Sequence, residues 1–154
     1  MYETILLPVD LSDDHSWQNA LPAAISLCEM YDARLFVITV VSDLNLPVAG
    51  HILSSDDEVR LHERIATKLD AFINCQITPA IKARRLVASG KVYQQILGHA
   101  ARLKADLVIM GTNSAEMNGY LLGSNTARVV RHARCSVMIV RDWIESLGPS
   151  PLHN

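Results

Sequence analysis

Short apolar runs separated by helical patterns constrain the fold of this chain more than any other feature of its sequence. Four runs are rich in valine, isoleucine and leucine, and a fifth is weaker; they cover residues 5–9, Arg34–Val41, Ala83–Ser89, 107–110 and Ser136–Val140. Apolar runs of this length are typical of strands that are covered on both faces of a sheet. The sequence therefore predicts five buried strands.

The segments between these runs carry apolar residues at three- and four-residue spacing, which predicts four amphipathic helices. They begin near Asp13, near Asp56, at Val92 and at Ser124. Pro22 lies deep in the first pattern, where proline costs about 3 kcal/mol, so this helix either bends or begins later than Asp13. Strict alternation of strands and helices predicts a three-layer α/β domain with a mostly parallel sheet. Ligands of such sheets bind at the carboxyl ends of the strands, where the strand order reverses.

Composition and charge exclude several classes of protein. The 154 residues suit one domain, and a formal net charge of −2 gives no sign of the clustered basic face that nucleic-acid partners require. No apolar run approaches the length of a membrane span, and Met1 leads into the first strand without a signal peptide, so we expect a cytoplasmic protein. Three separated cysteines, Cys28, Cys75 and Cys135, predict reduced and largely buried thiols. The six histidines are scattered and match no metal motif, so we expect neither a metal site nor catalytic residues.

The segment around residues 110–126 carries the clearest sign of a binding site. Gly111 and Gly123 can let backbone amides approach a ligand, and a helix that starts at Ser124 offers unpaired N–H groups to phosphate, with the Thr126 hydroxyl nearby. The same residues also suit an ordinary helix start, and both interpretations stand. Asp10, after the first strand, can accept hydrogen bonds from a ribose or an adenine amine, or it can cap the following helix.

Three stretches together resemble the universal stress protein family. They are Ile-Leu-Leu-Pro-Val-Asp-Leu-Ser at 5–12, Ala-Asp-Leu-Val-Ile-Met-Gly at 105–111, and Leu-Leu-Gly-Ser at 121–124 followed by the residues up to Arg141. The resemblance covers residues 1–141 and leaves 142–154 as a C-terminal tail. It implies an adenine nucleotide alpha hydrolase-like fold with strand order 3-2-1-4-5, and a homodimer along the last strand.

Nucleotide-binding members of this family carry the signature G-x2-G-x9-G-S/T. Gly111 and Gly123-Ser124 match its ends, whereas Ser114 replaces the middle glycine and the spacing is one residue short. The shortened form with Leu-Leu-Gly-Ser-Asn resembles the small bacterial F and G types, which are associated with ATP binding. Carried over by position, the resemblance implies a site for ATP or AMP made by Pro8, Val9, Asp10, Val40, Met110, Gly111, Thr112, Ser114, Gly123, Ser124 and Asn125.

The resemblance also implies what each part of this site would contact. Pro8, Val9 and Asp10 would face adenine and ribose, with Val40 on the base. The residues from Met110 to Thr112 would line the ribose side, and those from Gly123 to Asn125 would hold the phosphates, with Mg²⁺ only as carried by the nucleotide.

The expected function is that of a regulatory module of the bacterial stress response, which binds an adenine nucleotide and is recognised by a protein partner. Two alternatives stay open. The first is slow ATP hydrolysis or self-phosphorylation on Ser124 or Thr126. The second is a dimeric interaction protein without nucleotide, which the replacement at Ser114 and the shortened spacing favour.

Overall fold

Five strands alternate with four helices in the computed structural model, which describes residues 1–42, 54–112 and 122–141. In chain order these elements are β1 Thr4–Pro8, α1 Ala20–Tyr31, β2 Arg34–Val41, α2 Ser55–Gln76, β3 Ala83–Ser89, α3 Val92–Leu103, β4 Leu107–Gly111, α4 Ser124–His132 and β5 Ser136–Val140. The sheet order is β3-β2-β1-β4-β5, and every neighbouring pair is parallel. The predicted α/β class and strand order are confirmed.

The position of β1 in the middle of the sheet creates the place for a site. The chain moves outward from β1 to β2 and β3, then crosses back to lay β4 on the other side of β1. The connections after β1 and β4 therefore leave in opposite directions. A crevice opens between them at the carboxyl ends of these two strands.

Alternate residues of the strands build two apolar layers, one on each face of the sheet. Ile5 and Leu7 of β1 point into a cluster with α1 and with Leu69 of α2. Leu6 of β1 points the other way, into a cluster with Ile96 of α3 and Val129 of α4. Each fully buried aliphatic side chain contributes about 1.5–3 kcal/mol. Helices thus cover both faces and hold the strand ends rigidly.

The edge strand β5 differs from the central strands in its exposure. All five residues of β4 are buried, whereas Val137, Met138, Ile139 and Val140 of β5 are only half-buried. Among the described residues, β5 pairs with β4 alone. One edge of this apolar strand therefore has no partner strand among the described residues.

The start of α1 corrects the prediction of a helix from Asp13. A single 3-10 turn covers Asp14–Ser16, with the side chain of Asp13 accepting from His15 N, and α1 begins only at Ala20. Pro22 then falls in the first helical turn, where no N–H is required. Trp17, which belonged to the predicted apolar stripe, is instead in a loop and packs edge-on against Phe72 of α2.

Other predicted elements agree closely with the structure, since β2, β3 and β5 have the predicted bounds and α3 and α4 begin at the predicted residues. The prediction of largely buried thiols is wrong for Cys75, which is exposed, while Cys135 is half-buried and Cys28 is buried. The position of Ser114 and the predicted tail 142–154 lie outside the described residues. None of the described helices is long and apolar enough to cross a membrane.

Candidate functional site

A cleft of about 240 Å³ opens at the carboxyl ends of β1 and β4. This is close to the lower end of the range for small-molecule pockets, about 300 Å³. Its described lining consists of Pro8, Val9, Asp10, Ser16, Ile38, Val40, Ser42, Val92, Ile96, Met110, Gly111, Asn125 and Thr126. The residues come from three strands, the 3-10 turn and two helices, so the cleft exists only in the folded chain.

The cleft has an apolar wall and a polar wall. Ile38 and Val40 of β2, Val92 and Ile96 of α3, and Met110 of β4 supply aliphatic and thioether surface. The polar side is formed by a carboxylate, hydroxyls and an amide, together with the amino end of α4. A ligand that matches this lining has one flat or apolar part and one part rich in hydrogen-bonding groups.

Asp10 supplies the acidic group of the polar wall. Its Oδ1 accepts hydrogen bonds from Ser12 N at 2.9 Å and from Ser12 Oγ at 2.6 Å. The carboxylate thus folds back on its own turn rather than capping α1, which has no side-chain cap. Oδ2 accepts no hydrogen bond from any described residue, and the side chain is exposed. One oxygen is fixed and the other is available to a ligand.

Ser16 holds the backbone of Asp10 in place. The Ser16 Oγ accepts from Asp10 N at 2.9 Å and donates to Asp10 O at 3.2 Å, and Ser16 is 8% exposed. The hydroxyl is thus the acceptor for Asp10 N, and it shares the Asp10 carbonyl oxygen with the backbone N of Asp13, which donates to it at 3.1 Å. The 3-10 turn is a brace for the acidic residue.

Gly111 allows this brace to lie against the end of β4. A Cβ added at Gly111 would lie 2.5 Å from the Ser16 carbonyl oxygen and 3.0 Å from that of His15. Any side chain there would push the turn away from the strand. The absence of a side chain at Gly111 therefore has a structural reason that is independent of any ligand.

The amino end of α4 faces the cleft through Asn125 and Thr126. Gly123 occupies the N-cap, no side chain caps the helix, and the first turn contains no acidic residue. The free N–H groups and the partial positive charge of a helix start favour an anion. This end of the cleft is suited to a phosphate or a carboxylate.

The structure brings most of the predicted site residues together. Seven of them line the cleft: Pro8, Val9, Asp10, Val40, Met110, Gly111 and Asn125. Thr112 and Ser124 are next to lining residues in the chain, and Gly123 is two residues before Asn125, but none of the three is in the lining. Ser114 lies outside the described residues. Whether these residues bind a ligand stays a prediction.

Sequence reasoning missed several lining residues. Val92 and Ile96 were assigned to the core face of α3, and Ile38 to a buried strand, because an apolar residue gives no sequence signal of facing a cleft. Ser16 could have been suspected as a serine in the acidic turn after β1. Its bond to Asp10 depends on the 3-10 turn, which the sequence pattern did not reveal.

The ionisable groups of the lining limit its chemistry. Asp10 is the one carboxylate among the described lining residues, and that lining has no lysine, arginine or histidine. In the described ranges 1–42, 54–112 and 122–141, no three histidine, cysteine or acidic side chains come together as metal ligands would. The described lining can therefore hold a ligand through hydrogen bonds and through the amino end of α4.

Comparison with known families agrees with the geometry. A family model described as "Universal stress protein family" matches residues 1–141. The chain belongs to the universal stress protein family. A universal stress protein of Thermus aquaticus is 33% identical, and Universal stress protein G of Escherichia coli O157:H7 is 26% identical. Each alignment covers 92% of this chain and all of the relative.

Solved structures of the family have the same fold. The protein UspA from Lactobacillus plantarum aligns with a TM-score of 0.67 at 28% identity, over 91% of this chain and 98% of its own. A universal stress protein in complex with cAMP aligns with a TM-score of 0.58 at 23% identity, over 91% and 97%. The protein from Archaeoglobus fulgidus in complex with dAMP gives 0.59 at 16%, over 90% and 97%. The fold is therefore the nucleotide alpha hydrolase-like fold of these proteins.

Proposed function

We propose that the cleft binds an adenine nucleotide, ATP or AMP, and that this protein is a regulatory module of the stress response rather than an enzyme. The observation that carries the proposal is the meeting of three features in one cleft. An apolar wall, a carboxylate with one open oxygen and an uncapped helix start lie around the same space. Family members in complex with cAMP and dAMP support the same ligand class.

The three features match the three parts of a nucleotide. The aliphatic side chains of Val40 and Met110 offer a surface on which a purine can pack. Asp10 Oδ2 can accept from a ribose hydroxyl or an adenine amine, and the amides at the start of α4 can donate to phosphate oxygens. Mg²⁺ enters this proposal only with the nucleotide, because the described lining has a single carboxylate.

Calorimetry with ATP, ADP and AMP tests the proposal. Asp10→Ala removes the open acceptor, and we expect at least about tenfold weaker binding, the effect of one hydrogen bond to a charged group. Asp14→Ala is the matched control, because it removes the same charge from the same turn at a residue outside the cleft. The proposal fails if no adenine nucleotide gives heat, or if both variants weaken binding equally.

Regulation requires that nucleotide changes the protein. A ligand shifts a conformational equilibrium only through its different affinity for the two states. We expect saturating ATP to protect the amides of Gly123 to Thr126 from hydrogen exchange, because phosphate would occupy the helix start. Unchanged exchange in this segment would leave a binding site without a switch and would end the regulatory part of the proposal.

A homodimer along β5 is the assembly that we propose. The half-buried residues of β5 and its one open side support it, since strand edges are prone to pair. Native mass spectrometry of protein purified without added nucleotide would report subunit number and retained ligand together. A monomer at micromolar concentration would contradict this assembly.

Three free cysteines support a reducing, cytoplasmic setting.

Self-phosphorylation is the alternative with one observation in its favour. Ser124 is exposed and stands beside Asn125 of the cleft, whereas Thr126 is 9% exposed. Against it, the described lining offers no cationic side chain to stabilise a transferring phosphoryl group. Incubation with γ-labelled ATP decides the matter, with Ser124→Ala as the control. We expect neither labelled protein nor released phosphate.

A further inference from the structure

The two helical layers of the molecule differ sharply in charge. With their flanking residues, α3 and α4 carry Lys91, Arg102, Lys104, Arg128, Arg131 and Arg134, and neither helix contains a carboxylate. On the opposite face, α2 alone carries five carboxylates against three basic side chains. The net charge of −2 therefore hides a basic face.

A groove of about 600 Å³ lies on this basic face, between the end of α3 and the end of α4. Its lining consists of Leu97, Gly98, Ala100, Ala101, Lys104, Ala105, His132, Ala133, Arg134 and Cys135. The floor is made of small apolar residues. A Cβ added at Gly98 would meet no heavy atom within 4 Å, so the space above this helix is open.

The cationic side chains of the groove have no carboxylate partner among the described residues. Two ion pairs among the described residues, Lys82 with Asp32 and Arg85 with Asp70, involve no residue of α3 or α4. Asp106 is close in sequence to the groove, but its Oδ2 accepts from the backbone N of Glu3 and of Thr4. Burial, with Asp106 as a second cause, raises the pKa of the Cys135 thiol. The groove is therefore cationic at Lys104 and Arg134 and neutral at Cys135.

We propose that this groove is a docking site for an acidic protein segment that presents a row of apolar side chains. Charge complementarity selects acidic residues at Lys104 and Arg134, and the small-residue floor selects aliphatic side chains. A nucleic acid would use the positive charges but not the apolar floor. The site is separate from the nucleotide cleft and does not depend on it.

Fluorescence anisotropy with designed peptides tests this proposal on the full chain. The probe is a labelled amphipathic peptide with leucine at every third and fourth position and glutamate elsewhere. We expect it to bind, and we expect the same peptide with lysine in place of glutamate, or with the leucines scrambled, to bind at least about tenfold more weakly.

Two variants of the groove separate its apolar and charged parts. Gly98→Leu fills the floor, and Gly98→Ala is its control because a methyl group leaves most of the space open. Lys104→Glu with Arg134→Glu reverses the charge, and Arg60→Glu with Arg64→Glu makes the same change on α2. We expect Gly98→Leu and the double variant at Lys104 and Arg134 to abolish peptide binding. We expect Gly98→Ala and the double variant at Arg60 and Arg64 to retain it. Thermal unfolding verifies that each variant is folded.

Three results would overturn the proposal. One is equal binding by wild type and Gly98→Leu. Another is tighter binding of a single-stranded oligonucleotide that Gly98→Leu does not weaken, which would make this face a nucleic-acid surface. The third is a loss of self-association in Gly98→Leu by analytical ultracentrifugation, which would make the groove an interface between copies of this chain.

Discussion

Two aspartates at opposite edges of the sheet make different kinds of hydrogen bond with the same side chain. Asp10 follows β1 at the carboxyl edge, and Asp106 precedes β4 at the amino edge. Asp106 Oδ2 accepts from Glu3 N and Thr4 N, both at 2.8 Å, and so joins the start of β4 to the start of β1. Among the described residues, the Asp10 carboxylate accepts hydrogen bonds only from Ser12 of its own turn, and its Oδ2 has no described donor. We call the amino edge closed, because its carboxylate links two strands, and the carboxyl edge open, because its carboxylate does not.

The difference follows from the topology. At the amino edge, β1 and β4 are adjacent and the backbone N–H groups of β1 lie within reach of the residue before β4. At the carboxyl edge the chain departs in opposite directions, so no strand is available to satisfy the aspartate. Substitutions at the two edges separate two effects. We expect those at the closed edge to lower stability most and those at the open edge to weaken ligand binding.

The largest effect is expected from Asp106→Ala. It deletes an acceptor of two backbone hydrogen bonds and should lower the free energy of unfolding by about 2–3 kcal/mol. Asp10→Ala is the matched change and should cost less than about 1 kcal/mol, because its bonds lie in an exposed turn. Urea denaturation of both variants measures this. Equal losses would remove the contrast between the two edges.

The second effect is expected from Gly111→Ala at the open edge. Its Cβ would lie 2.5 Å from the carbonyl oxygen of Ser16, so the turn must move at a cost of about 2 kcal/mol. Displacing the turn should also weaken nucleotide binding. Gly98→Ala is the control, because it meets nothing within 4 Å and should keep or raise stability. A stable Gly111→Ala protein with normal affinity would show that the turn is not a brace.

A smaller effect is expected from Ser16→Ala. Loss of the hydroxyl leaves Asp10 N without its acceptor and should cost about 1 kcal/mol in stability. We also expect several-fold weaker nucleotide binding, since Asp10 would no longer be held. Ser12→Ala removes only the hydroxyl bond to Asp10 Oδ1 and keeps the bond from the backbone N, so it should have the milder effect on stability. Calorimetry and urea denaturation of the two variants should rank them in this order.

The effect that is smallest at neutral pH concerns Cys28, in α1. Burial, with Glu29 as a second cause, raises the pKa of its thiol from 9.0 to about 11. The folded state therefore disfavours the thiolate, and this contribution to stability is complete below pH 9 and is lost as the pH rises toward 11. Cys28→Ala should show a weaker decline over this range in urea denaturation. Iodoacetamide at neutral pH should modify the exposed Cys75 first; faster reaction at Cys28 would contradict its burial.

Most of the fold could be predicted because local patterns and global topology agree. The bounds of β2 and β3 followed from apolar runs that end at polar residues or glycine. The start of α1 could not be placed, because the apolar stripe continued through Trp17. That side chain is used in a loop contact with Phe72, so its spacing carried no information about the helix.

The candidate site was predictable at the strand ends and at the start of α4. Asp10 followed from its place after the first strand, and the family resemblance implied Pro8, Met110 and Asn125. Ser16 and Ile96 could not be predicted, since their place in the cleft depends on a 3-10 turn and on how α3 packs. Net charge was equally uninformative about the surface, because acidic and basic residues cancel in a sum but are separated in the fold.

The central place of β1 has a consequence for synthesis of the chain on the ribosome. The strands β1, β2 and β3 can pair once residue 89 has emerged, but β1 gains its other neighbour only after residue 111. Until then, one edge of β1, the strand that is synthesised first, has no partner within the sheet. The nascent chain must remain soluble in that state before any ligand site is complete. The candidate cleft needs residues of β4 and α4, so it forms only after the first three strands can pair, and a ligand bound there cannot guide that earlier step.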